Sequence, residues 1–130
     1  MARKPSAKPT DAELAILGVL WEHGPSTVRR VHEELQRSDP VRYTTTLKQM
    51  QVMFEKGLLE RDESKRAHVY RPALPQGQMR RRLVADFLER AFGGSAAMMV
   101  AALLDTRPVS RRELEEIKRL IAQREKEEER

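Results

Sequence analysis

Thr44, Thr45, Lys48 and Gln49 fall on one side of a short helical stretch, and together they carry the chemistry needed to read base-pair edges. In a major groove, glutamine matches the donor and acceptor of adenine and lysine the two acceptors of guanine. Threonine offers a polar contact or packs on the thymine methyl. Arg42 and Tyr43 at the start of the stretch, and Val52 one turn beyond Lys48, complete this set of candidate contacts. A second set suits phosphates: Lys65 and Arg66 in a charged turn, Arg61 and Arg71 on the flanking segments, and His68, which serves either as a phosphate contact or as packing beside Tyr70. Each phosphate neutralised steepens the salt dependence of binding by about 0.9 in log–log slope. Both sets have a plainer reading. A threonine-rich helix face also occurs as solvated surface, and Asp62 and Glu63 are ready partners for exposed ion pairs with the cations of the turn.

Other chemistries find little support. With no cysteine, the chain can form no disulfide, thiolate metal site or thiol nucleophile. His23, His32 and His68 fall in a turn, a helix and a strand-like run, with no second ligand at metal spacing, so neither metal nor cofactor is expected. There is no glycine-rich phosphate loop and no nucleophile-plus-base pattern, which argues against an enzyme and leaves a small hydrolase as a distant alternative. The run Glu127-Glu128-Glu129 reads as solvated charge.

The elements that must hold the candidate side chains follow from capping signals and periodicity. Thr10 and Glu13 form a capping box that opens a first helix, whose wide apolar face runs from Leu14 through Ile16, Leu17, Val19 and Leu20 to Trp21 and ends at His23-Gly24-Pro25. Ser26-Thr27 caps a second helix bearing Val28, Val31 and Leu35, which Ser38-Asp39-Pro40 breaks. A third runs from about Tyr43 to Lys56 and stops at Gly57. If Met50 points inward, so do Thr46, Leu47, Met53 and Phe54, and the polar residues face out. Two β-prone runs, Leu58–Arg61 and Ala67–Arg71, then flank a charged turn as a hairpin.

Beyond Pro75 the chain reads as helical. Leu83, Val84, Phe87, Leu88 and Phe92 make one apolar stripe that ends at Gly93-Gly94. Ser95 starts a helix through Met98, Met99, Leu103 and Leu104 that is apolar nearly all round. Ser110 and Glu113 form a second capping box before the stripe Leu114, Ile117, Leu120 and Ile121. One short unit buries little of this surface, so a second copy is expected to cover it.

The predicted fold class is therefore mostly α with a small β-hairpin wing: a winged helix-turn-helix head followed by a C-terminal helical dimerisation segment. The expected divisions are a disordered arm over 1–9, a DNA-binding domain over 10–74 and a helical dimerisation domain over 75–130. Three helices and a hairpin in this order place the third helix in a major groove. The same order also occurs in protein-binding winged helices, so an adaptor remains the alternative. Among 130 residues, 35% are charged and the formal net charge is +5, a balance that favours a polyanionic partner. No run approaches the roughly 18 apolar residues that span a bilayer. The basic start has no apolar segment of the secretory kind, so a cytoplasmic protein without membrane insertion is expected.

The spaced motifs Tyr43-Thr44-Thr45-Thr46-Leu47-Lys48, Glu55-Lys56-Gly57-Leu58-Leu59-Glu60-Arg61-Asp62 and His68-Val69-Tyr70-Arg71 resemble the penicillinase-repressor family (BlaI/MecI/CopY). Glu13-Leu14, Leu20-Trp21 and Ala91-Phe92-Gly93-Gly94-Ser95 extend the resemblance from about Pro9 to Gln123. It implies a homodimeric repressor of inverted-repeat operators, released when a membrane-bound zinc metalloprotease sensor triggers its cleavage. In this chain the cut would fall near Ala102-Leu103. Two departures stand out: Val52 occupies a position where many members carry arginine, and the C-terminal cysteines of the copper-responsive branch are absent.

Overall fold

The computed structural model describes residues 8–129, so most of the expected N-terminal arm lies outside the described residues. Among the described residues, nine elements follow in chain order: α1 (Asp11–His23), β1 (Ser26–Thr27), α2 (Val28–Gln36), α3 (Tyr43–Lys56), β2 (Leu59–Asp62), β3 (Val69–Pro72), α4 (Gln76–Phe92), α5 (Ala96–Thr106) and α6 (Arg111–Glu128). By its internal contacts the chain falls into two compact units, the first ending at Leu83 and the second beginning at Val84.

In the first unit, local signals set each boundary. The Thr10 hydroxyl accepts from the Glu13 amide at 3.1 Å, and the Glu13 carboxylate accepts from the Thr10 amide at 2.9 Å, the reciprocal bonds of a capping box. Thr27 caps α2 by accepting from Arg30 N at 3.2 Å. Gly57 stops α3 at φ 86°, a left-handed conformation that glycine adopts without a Cβ penalty. The wing is larger than a hairpin. β1 adds to β3 as a third antiparallel strand, giving the order β1-β3-β2 with Ser26 opposite Tyr70 and Arg61 opposite Tyr70 on the other side. Two residues are too few to show strand periodicity, so this strand has no signature of its own in the sequence.

The core of this unit gathers Ile16, Leu17 and Leu20 of α1, Val28 and Val31 of α2, Met50 and Met53 of α3, and Leu58, Leu59 and Tyr70 from the wing and its approach. Met79 is buried in the same cluster, and Leu74 and Leu83 pack against it. The first turns of α4 therefore belong to the core of the head, which is why the unit ends inside that helix. Truncating any of the fully buried aliphatic side chains to alanine is expected to cost about 2–5 kcal/mol.

In the second unit, Gly93 and Gly94 take positive φ values of 56° and 85° and turn the chain between α4 and α5. Ser95 caps α5 through Met98 N at 3.2 Å. The second capping box forms by half. The Ser110 hydroxyl accepts from the Glu113 amide at 3.1 Å, but the Glu113 carboxylate turns instead to Arg107, 3.8 Å away. None of the described residues of this unit is buried. Val84, Phe87, Met98, Leu103, Leu120 and Ile121 are each at least half exposed. No single helix of the described residues is long and apolar enough to cross a bilayer.

Candidate nucleic-acid interface

Helix α3 displays most of the candidate base contacts. Thr46, Met50 and Met53 are buried on its inner side, with Leu47 and Phe54 half-buried beside them. Arg42, Tyr43, Thr44, Thr45, Lys48 and Val52 are exposed, so six of the seven candidates on and next to this helix reach solvent. Gln49 is half-buried and lines a groove of about 570 Å³ beside Ala12 and Ala15 of α1 and Val41. Gln51, outside the sequence-derived set, is exposed and lines the other side, a groove of about 440 Å³ between α3 and the wing. Its signal was present as the spacing Thr44, Lys48, Gln51: steps of four and three residues that keep one helix face.

The start of α3 is braced from α2. The Arg29 guanidinium lies 5.3 Å from the centre of the Tyr43 ring, and His32 meets the same ring edge-on at 5.5 Å. His32 Nδ1 also lies 3.5 Å from the Thr46 hydroxyl. Tyr43 is thus a positioned residue, and Arg29, also missed in the sequence, lines the groove facing the wing together with Arg66 and His68.

The four expected phosphate cations divide into two pairs. Lys65 and Arg66 are exposed, and the Lys65 charge favours the ionised carboxylate of Asp62 in the same turn. Arg61 is largely buried by its partners. Its guanidinium stacks 3.9 Å from the Phe54 ring centre, donates to the Tyr70 hydroxyl at 3.4 Å and to the Glu63 carboxylate at 2.6 Å. The Tyr70 hydroxyl, then Glu63, hold its charge still more firmly than usual. Arg71 is exposed but paired with Glu60, at 2.8 and 3.0 Å. In the turn itself, Ser64 donates to the Asp62 carboxylate at 2.9 Å and holds it below the usual carboxylate range. His68 is half-buried in the groove wall.

Of the residues expected to pair two copies, Leu83 packs on the core of the first unit, while Val84, Phe87, Met98, Leu103, Leu104, Leu114, Leu120 and Ile121 are exposed. Leu88, Phe92, Met99 and Ile117 are half-buried, and the Phe87 and Phe92 rings meet edge-on at 5.7 Å. Ala102 and Leu103 lie inside α5. Among the described residues, no group of three His, Asp or Glu side chains is placed to hold a metal ion.

Three packed helices, a short third strand and a basic wing define a winged helix-turn-helix head, here followed by a helical tail. Residues 9–123 match the penicillinase repressor family, and the chain belongs to it. It is similar to the penicillinase repressor of Bacillus licheniformis, at 25% identity over 112 residues that cover 86% of this chain and 88% of that protein. It is also similar to the transcriptional regulator BlaI of Mycobacterium tuberculosis, at 34% identity over 82 residues that cover 62% of this chain and 59% of that one. These relatives are named as regulators of transcription, not as enzymes. A solution structure of monomeric Bacillus licheniformis BlaI in complex with the blaP half-operator is similar at 25% identity and a TM-score of 0.49, over 55% of this chain and 87% of that one.

Proposed function

We propose that this chain is a cytoplasmic transcriptional repressor that binds double-stranded operator DNA of inverted-repeat form as a homodimer. The observation that carries the reading is the outward face of α3. Thr44, Thr45, Lys48 and Val52 stand exposed there, opposite a buried face of Thr46, Met50 and Met53. A helix set in this way can enter a major groove, and the exposed Lys65 and Arg66 of the wing can reach phosphates beside it. Membership of the penicillinase repressor family supports the same reading.

In this proposal residues 10–74 carry DNA binding and residues 75–130 carry pairing, with the first turns of α4 also bracing the head. The tail exposes Val84, Phe87, Met98, Leu103, Leu120 and Ile121, a cost in water that a second copy relieves at roughly 25 cal/mol per Å² of apolar area covered. Pairing makes the second head's binding intramolecular, which raises avidity by about 10² to 10⁴. Release would follow cleavage in the tail, triggered through a membrane-bound zinc metalloprotease sensor. The bond between Ala102 and Leu103 lies within helix α5, so a protease needs that turn unwound.

A gel-shift titration against the gene's own upstream region at two salt concentrations tests the core of the proposal. The expected result is a shift at low salt that weakens at high salt. Absence of a shift at low salt contradicts DNA binding and favours a protein-binding adaptor.

A further inference from the structure

We infer that Gln51 is a base-reading residue of this chain, selective for adenine at the half-site position nearest the wing, and that Gln49 is not. The inference rests on the DNA-binding reading above and assigns one of its contacts. At 3.6 residues per turn, with the buried Thr46, Met50 and Met53 inward, the direction pointing away from the core lies close to Lys48. Gln51 lies about 60° from it and Gln49 about 100° on the other side. Exposure agrees: Gln51 is open to solvent, whereas Gln49 is half-buried against Ala12, Ala15 and Val41.

Thr44, Lys48 and Gln51 form one continuous stripe, and Gln51 is its member beside the wing. It shares the walls of the 440 Å³ groove with Arg66 and His68. A DNA strand passing between helix and wing would have a phosphate at Arg66 while a base edge met Gln51. The carboxamide oxygen accepts from the exocyclic amine of adenine and its nitrogen donates to N7, a two-bond match that the other bases do not offer. Gln51 is exposed, so its carboxamide is open to solvent on the outer side of the helix. The next residue on the stripe is Glu55, also exposed, whose carboxylate is repelled by phosphates. The base-reading part of the stripe therefore ends at Gln51.

Selection of bound duplexes from a randomised pool tests this with the full chain, as wild type, Gln51→Ala and Gln49→Ala. Wild type is expected to enrich a half-site with adenine at one wing-proximal position. Gln51→Ala should accept any base there, and Gln49→Ala should enrich the wild-type motif. Replacing that adenine by an analogue lacking the N7 acceptor should weaken wild type on the order of ten-fold and leave Gln51→Ala unchanged. An unchanged motif in Gln51→Ala, or loss of the adenine in Gln49→Ala, overturns the assignment. If wild type enriches no motif at all, the DNA-binding reading fails and the assignment falls with it.

Discussion

Lys56 Nζ donates to both carboxylate oxygens of Glu13, at 3.0 and 2.8 Å, and so ties the C-terminal end of α3 to the first turn of α1. Glu13 is 5% exposed, and its Oε1 also accepts from the Thr10 amide. One carboxylate thus closes the capping box and anchors the candidate recognition helix. Removing a single partner of such a pair leaves a buried charge unmatched. Lys56→Met is expected to lower stability by about 2–4 kcal/mol. Glu13→Gln should cost less, because its amide oxygen still accepts from Thr10. Adding Glu13→Gln to Lys56→Met should recover part of the loss. Urea unfolding of the three variants checks this order.

Arg61 and Lys65 have similar chemistry and opposite situations. Arg61 is engaged by Phe54, Tyr70 and Glu63, while Lys65 stands exposed in the turn. Arg61→Ala should therefore lower the unfolding free energy by about 1–2 kcal/mol, through lost stacking and lost cover for Phe54. Lys65→Ala should leave thermal unfolding unchanged, weaken binding to all DNA sequences alike and reduce the salt slope by about 0.9. Equal stability losses in the two variants would contradict the division.

On the candidate recognition helix, Lys48 is exposed on the face away from the core, and in the proposed function it serves sequence discrimination rather than general affinity. Lys48→Ala is expected to reduce the ratio of specific to non-specific binding by roughly ten-fold or more, the worth of one good base contact. Titrating specific and scrambled duplexes by fluorescence anisotropy measures that ratio. A uniform loss on both would reassign Lys48 to the backbone.

Asp62 gives a pH signature local to the wing. Its pKa is lowered in the fold, first by the Ser64 side chain and then by the Ser64 backbone amide. A depressed carboxylate contributes stability above its unfolded value of about 3.9, and that contribution is lost as pH falls through the folded value. The carboxyl resonance of Asp62 should titrate below the usual carboxylate range, and Ser64→Ala should move its midpoint upward. A midpoint unaffected by Ser64→Ala would sever the link.

Phe87 is half exposed and in edge contact with Phe92, and in the proposed function it lies at the surface that pairs two copies. Phe87→Asp places a charge where a second copy would lie. Sedimentation should show a monomer, with the head still unfolding as the wild type does. A Phe87→Asp protein that sediments as a dimer would place the interface elsewhere.

Much of the head was legible because each of its signals is local. The Thr10–Glu13 capping box, the Gly57 stop and the inward set around Met50 each follow from a few neighbouring residues. The missed features depend on distant partners. Strand β1 exists because Ser26 and Thr27 meet Tyr70 and Val69, more than forty residues on. The contacts of Arg61 with Phe54 and Tyr70 arise only when the fold brings those rings against it. Gln49 and Gln51 are chemically identical in the sequence, and only the grooves on either side of α3 separate them. Glu113 fits a capping box by spacing, yet Arg107 competes for its carboxylate.

The most direct measurement compares the affinity of the full chain for a duplex with two inverted copies of the selected half-site against a duplex with one. A repressor whose tail couples two winged heads should bind the double site about 10² to 10⁴ times more tightly. Equal affinity for the two duplexes would contradict the coupling.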